Sequence, residues 1–124
     1  MSDAPFLNVV TEGDVTVAEF GPRCKLIEEP ILEALGRELA TVTAAADPPL
    51  VLLDLTQTTF FGSGFLETLF RVWKGMQSKP RPQLCLCGLH PYCREVLEIT
   101  HLDKMWPLYA SRAEALAALA SRPD

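Results

Sequence analysis

The sequence predicts an α/β fold: a single-domain mixed β-sheet in ββαβαβαβα order, with helices packed mainly on one face. Three observations carry this. Two β-rich runs open the chain with only a glycine-containing loop between them, two short and almost wholly apolar runs follow, and amphipathic segments of helical spacing separate the later runs. A crossover helix makes the strands it joins parallel, whereas a tight hairpin makes them antiparallel, so the sheet is mixed.

Phe6 to Val10 and Val15 to Phe20 read as the antiparallel pair, joined through Thr11-Glu-Gly-Asp14, where Gly13 can take a positive φ. Gly21-Pro22 breaks the second run. Ile31, Leu32, Leu35, Leu39 and Val42 then recur at helical spacing, with Glu33, Arg37 and Glu38 opposite, and Asp47-Pro48-Pro49 ends this first helix. Leu50 to Leu55 is apolar apart from Asp54 and reads as a central strand covered on both faces. A second helix runs from Ser63 to about Gln77, stopped by Ser78-Lys-Pro-Arg-Pro82. Gln83 to Cys87 is another short buried strand, and Pro91 opens a third helix at a position where its missing N–H costs nothing. Trp106 to Tyr109 reads as the last strand, and Ser111-Arg-Ala-Glu114 as a capping box for an Ala/Leu-rich final helix. No long linker or internal repeat interrupts the order, so one domain spans residues 1–124, with a core from about 6 to 120 and expendable tails.

The chain's 124 residues are one domain's length, long enough to bury about two thirds of the chain's surface. With 11 Lys plus Arg against 16 Asp plus Glu, the net charge is −5, and no basic stretch is long enough to track a phosphate backbone, so nucleic acid is not expected as a direct partner. Apolar runs fall well short of the roughly 20 residues a bilayer span needs. Met1-Ser-Asp-Ala-Pro-Phe6 carries an acidic residue where an export signal carries positive charge, which points to the cytoplasm. Cys24, Cys85, Cys87 and Cys93 are accordingly read as free thiols. Three of them lie with His90 in a C-x-C-x2-H-x2-C spacing that matches no common zinc knuckle, and Cys85 and Cys87 fall on one face of a buried strand, so no metal or other cofactor is expected.

The segment Thr58-Thr-Phe-Phe-Gly-Ser-Gly-Phe65 joins a buried strand to the second helix and places Ser63 at that helix's N-terminus. A hydroxyl there has two readings. It is a helix N-cap, or it is a modification site where free N–H groups and the helix dipole tolerate an added phosphate. A hydrolase reading fails on spacing: the serine lies between glycines, but G-x-S-x-G is absent and His90 and His101 are the only histidine bases. The chain is therefore not expected to be an enzyme. Helix two also carries more apolar residues than one buried stripe needs, because Phe65, Val72 and Met76 form a second line beside Leu66, Leu69, Phe70 and Trp73. That surplus is buried against a neighbouring helix or is a partner surface. An available serine and a surplus apolar flank on one helix suggest docking more than catalysis.

Over nearly its whole length the chain resembles the STAS family, the sulfate transporter and anti-sigma factor antagonist domains. The family's strand-to-helix signature, approximately D-L-s-x-v-x-f-i-D-S-s-G-l-x-x-L, is followed by Asp54-Leu-Thr-Gln-Thr-Thr-Phe-Phe-Gly-Ser-Gly-Phe-Leu-Glu-Thr-Leu69. Cys87-Gly-Leu-His-Pro91, Arg94 to Leu102 and the ending Tyr109-Ala-Ser-Arg-Ala-Glu-Ala-Leu116 are similar to the family's later strand, turn and helices. The resemblance implies a STAS-like sheet and a role in a bacterial partner-switching circuit. There the unphosphorylated antagonist captures an anti-sigma factor that is also a serine kinase and so frees a sigma factor; phosphorylation of the signature serine ends the capture and a phosphatase restores it.

Ser63 occupies that serine's position. Gly62 replaces the acidic residue before it, which removes a hydrogen-bond acceptor, and Phe65 replaces a glycine, which should make the rim of the site more apolar. The docking face expected on this basis takes Thr59, Phe61, Gly62, Ser63, Gly64 and Phe65 from the loop and helix start, and Glu67, Val72 and Met76 from the helix. The same apolar flank would serve a homodimer as readily as a kinase. A phosphorylation-independent scaffold or interaction module is the alternative, and the resemblance extends to weak nucleotide binding, which some STAS domains show.

Overall fold

The computed structural model describes residues 5–120; the expectation about expendable tails at 1–4 and 121–124 lies outside the described residues. Strands β1 (Leu7–Glu12) and β2 (Val15–Phe20) form the antiparallel hairpin. Its loop is tighter than expected. Thr11 and Glu12 pair with Thr16 and Val15, leaving only Gly13 and Asp14 to turn, and Gly13 has φ +63° at the first loop position, where a type II′ turn demands it.

After a 3-10 turn at Pro22–Cys24 come β3 (Leu26–Ile27), helix α1 (Glu29–Ala45), β4 (Leu50–Asp54), β5 (Phe60–Phe61) and helix α2 (Ser63–Met76). Then follow β6 (Gln83–Cys87), α3 (Pro91–Ile99), a 3-10 turn at Leu102–Lys104, β7 (Leu108–Tyr109) and α4 (Arg112–Ala120). The main sheet has the order β1-β2-β4-β6-β7, and every pairing after the hairpin is parallel. The mixed α/β sheet read from the sequence is therefore present, with one addition: β3 and β5 pair in a separate two-stranded parallel ribbon. Two-residue strands carry no alternation, so periodicity could not announce them. The last strand is shorter than expected, because Trp106 sits before it as a fully buried core residue.

The two faces of the sheet are covered unequally. Ala18, Phe20, Val51, Leu53, Leu84 and Leu86 pack against α1, α2 and α3, while Val15, Val17, Leu50, Leu52, Cys85 and Cys87 pack against α4 alone. This explains the near-continuous apolar composition of β4 and β6, which are buried on both sides.

Several side chains tie elements across long sequence separations. The Glu38 carboxylate accepts the N–H groups of Phe6 and Leu7, fixing the edge strand β1 to α1. Lys79 Nζ donates to the carbonyls of Thr43, Ala44 and Ala46, satisfying the end of α1 in place of a glycine cap. The α4 capping box forms with its return bond displaced by one residue: Ser111 Oγ accepts the Glu114 N–H at 3.1 Å, and the Glu114 carboxylate accepts the N–H of Ala110, not that of Ser111, at 2.8 Å.

Candidate functional site

Ser63 is delivered by a connection anchored at nearly every step. At the end of β4, the Asp54 carboxylate accepts both the N–H and the hydroxyl of Thr56, at 3.0 and 2.6 Å, which reverses the chain in an Asx turn. Gly88, with φ +72°, lies under this turn; a Cβ there would fall 2.3 Å from Thr56 Oγ1 and 3.2 Å from Thr56 N, so only glycine fits. Thr58 is buried and its hydroxyl donates to the Cys24 carbonyl at 2.8 Å, while Thr59 N–H donates to the Lys25 carbonyl at 2.8 Å. The β3–β5 ribbon and the Gly62 N–H bond to the Ile27 carbonyl, at 3.2 Å, then aim the chain into α2.

Gly62, not Ser63, is the N-cap of α2; it is extended, at φ −94° and ψ 179°. Ser63 is the first helical residue, exposed, and its hydroxyl has no hydrogen-bond partner among the described residues. The N-cap reading of Ser63 is therefore not what this geometry supports, since the capping position lacks a side chain. A Cβ on Gly62 would meet nothing within 4 Å, so an acidic side chain would fit there. Gly62→Asp should raise the melting temperature slightly, by a few tenths of a kcal/mol of stability, because an aspartate N-cap accepts a first-turn N–H and sits well on the helix dipole. A thermal melt of the purified variant checks this.

The apolar flank of α2 is arranged the other way round from the expectation. Phe65, Leu69, Val72 and Met76 recur at i, i+4, i+7 and i+11 and form the stripe that faces the sheet, with exposures of 0, 0, 7 and 1 %. Phe65 packs edge-on against Phe20, with centroids 5.8 Å apart, and against Phe61 at 5.1 Å. Phe61, Phe65, Val72 and Met76 are thus core residues and do not enlarge an exposed rim. The exposed line runs through Ser63, Glu67, Phe70 and Lys74, flanked by the partly buried Leu66 and Trp73. Phe70 is 40 % exposed, its ring lies 5.5 Å from that of Trp73, and Lys74 Nζ is 5.9 Å above it.

Of the residues expected at the docking face, Thr59, Gly62, Ser63, Gly64 and Glu67 are exposed or partly exposed around the start of α2. Sequence reasoning missed a second apolar strip, where Leu26 is paired with Phe60 and Phe60 stacks on Tyr92 at 5.6 Å. Leu26 and Tyr92 are about half exposed. The signal lay in residues 26 and 60 being aromatic or aliphatic, but nothing in the sequence paired them.

Behind the loop, on the α4 side of the sheet, Arg112 is the hub of a charge cluster. Its guanidinium donates to Asp54 at 2.9 and 3.1 Å, to Glu12 at 3.0 Å, and to Glu19, which also accepts from Asn8. Burial pushes the Asp54 carboxyl up, but the hydrogen bonds from Thr56 and Arg112 outweigh it and hold Asp54 below its ordinary range. Glu19 is lowered by its hydrogen bonds from Asn8 and Arg112. The thiols behave oppositely: burial, with the Glu38 charge, pushes Cys24 up to about 11, and burial, with the Asp54 charge, pushes Cys87 up to about 12. Such thiols stay protonated at neutral pH. Among the described residues no three His, Cys, Asp or Glu side chains are grouped to hold a metal ion, and no helix is long and apolar enough to cross a membrane.

A connection from a central parallel strand through a tight turn to an exposed serine at a helix start, under a sheet of this order, agrees with a direct comparison: the sequence model of the STAS domain matches residues 23–115. The chain belongs to the STAS domain family. This STAS domain is similar to an anti-sigma-factor antagonist (STAS) domain protein from Planctomyces limnophilus, with 38% identity, coverage of 93% of this chain and 98% of that one, and a TM-score of 0.86. It is also similar to an anti-sigma factor antagonist from Mycobacterium paratuberculosis, with 25% identity, 93% coverage of both chains and a TM-score of 0.79. The Bacillus cell fate determinant SpoIIAA in its phosphorylated form shares the fold, with 14% identity, coverage of 91% of this chain and 98% of that one, and a TM-score of 0.65. No curated protein gives a significant match to the chain.

Proposed function

We propose that this STAS domain is a bacterial, cytoplasmic anti-sigma factor antagonist that works by binding and not by catalysis. With Ser63 unmodified, it captures an anti-sigma factor that is also a serine kinase. The kinase then transfers the γ-phosphoryl group of ATP: a bond forms between Ser63 Oγ and phosphorus, the bond from phosphorus to the ADP oxygen breaks, and the hydroxyl proton leaves to a base on the kinase. A phosphatase reverses the modification. The observation that carries the reading is the Ser63 hydroxyl, exposed and unbonded in the first turn of α2 beside Glu67 and the exposed Phe70 ring. The named relatives from Planctomyces limnophilus and Mycobacterium paratuberculosis support the same class of partner.

A phosphate adds about −1.5 to −2 charge to a docking face that already carries Glu67, and removing that charge from water on binding is costly unless the partner supplies an arginine. Incubation with the cognate kinase and ATP, followed by intact-mass measurement, tests the reading. Wild type should gain one phosphate and Ser63→Ala none; equal gain by both, or by neither, counts against it.

The second reading is a phosphorylation-independent interaction module, favoured by Gly62, which leaves the serine without an adjoining acidic residue. Under that reading the Leu66, Phe70 and Trp73 flank would bind a partner or a second copy of the chain whatever the state of Ser63.

A further inference from the structure

Helices α1 and α2 run side by side in the same direction. A Cβ on Gly64 would lie 2.6 Å from Leu32 Cδ1, and one on Gly36 would lie 3.3 Å from Thr68 Cγ2, so Leu32 and Gly36 of α1 step in register with Gly64 and Thr68 of α2. The first turns of the two helices therefore lie together. Glu29, the first residue of α1, sends Oε1 to 3.9 Å from the Cβ position of Gly64, the residue next to Ser63. Its carboxylate is exposed and has no hydrogen bond or ion pair among the described residues. Ser63, likewise exposed and unbonded, is flanked by two glycines, and the Leu32 side chain packs against Gly64 alongside the Glu29 carboxylate.

We propose that Glu29 is the electrostatic counterpart of Ser63. Beside a neutral hydroxyl the carboxylate is tolerated. Opposite a phosphate it is repelled, so modification of Ser63 on α2 is coupled electrostatically to the charge at the start of α1. This inference rests on Ser63 as the modified residue. The other charges in the neighbourhood are Glu28 beside Glu29, Glu67 one turn along α2, and Lys25 at the start of the ribbon; all three are exposed.

The test does not require a kinase. Phosphoserine is placed at position 63 of the full chain during translation, and the phosphate is titrated by 31P NMR at low salt in the wild type, Glu29→Gln and Glu33→Gln backgrounds. In water, a carboxylate within about a Debye length raises the second phosphate ionisation by roughly a few tenths of a unit. Glu29→Gln should remove that increment and added salt should shrink it. Glu33→Gln, one turn further along and paired with Arg37 at 3.5 Å, should leave the titration unchanged. Equal titrations in wild type and Glu29→Gln, or an equal shift from Glu33→Gln, would overturn the proposal. A failure of any kinase to modify Ser63 would instead strike the switch reading and leave this titration intact.

Discussion

Phe65→Ala is expected to lower the stability of the domain by about 3 to 5 kcal/mol, while Phe70→Ala changes it by less than about 0.5 kcal/mol. Both are phenylalanines on the same helix. Phe65 is fully buried between Phe20, Phe61 and the sheet, so its truncation leaves a cavity in the middle of the core. Phe70 is 40 % exposed and already half hydrated. Urea melts of the two variants separate these cases directly, and partner binding should respond in the reverse order: Phe70→Ala weakens capture of a folded protein, whereas loss of capture by Phe65→Ala tracks unfolding. Similar midpoints for the two variants would contradict the placement of the helix.

Arg112→Met is expected to cost about 2 to 3 kcal/mol, below the full value for a wholly buried pair because the Arg112 side chain is 26 % exposed. The substitution leaves Asp54, Glu19 and Glu12 facing one another without their shared cation. For a chain this size the melting temperature should fall by about 10 °C. The pH dependence gives a second signature. Asp54 and Glu19 are held below their ordinary values of 3.8 and 4.5 in the folded chain, so the stability they contribute is present above those values. It is lost as the pH falls from about 4.5 through the lowered folded values. In Arg112→Met that acid-dependent loss should be shallower, because the Arg112 contribution to both groups is gone while the hydrogen bonds from Thr56 to Asp54 and from Asn8 to Glu19 remain. An unchanged slope below pH 4.5 would show that the cluster does not hold α4 to the sheet.

Much of this fold was legible because its cues are local. The Gly13 loop, the apolar runs at 50–55 and 83–87, the proline stops after α1 and α2, and the Ser111–Glu114 box each announce their element within a few residues. The β3–β5 ribbon was not legible, since two-residue strands have no period, yet that ribbon positions Ser63. The orientation of α2 was not legible either. Its two stripes, Phe65-Leu69-Val72-Met76 and Leu66-Phe70-Trp73, are similarly apolar, and what selects between them is the shape of the Phe20 and Phe61 surface beneath, a contact between distant parts of the chain. The Arg112 cluster escaped for the same reason: its partners lie 58 to 100 residues away. The position of Ser63 at the start of α2 was readable from the strand-to-helix junction. That the hydroxyl is left free, with Gly62 taking the cap, required the structure.

Ser63 is proposed as the residue through which a partner reads the state of the domain. The affinity of the cognate anti-sigma factor for wild type, Ser63→Ala and the chain carrying phosphoserine at position 63, measured side by side by calorimetry, tests this most directly. Wild type and Ser63→Ala should bind within about twofold of each other, and the phosphorylated chain at least about tenfold more weakly, a difference of about 1.4 kcal/mol. Equal affinity of all three would contradict it.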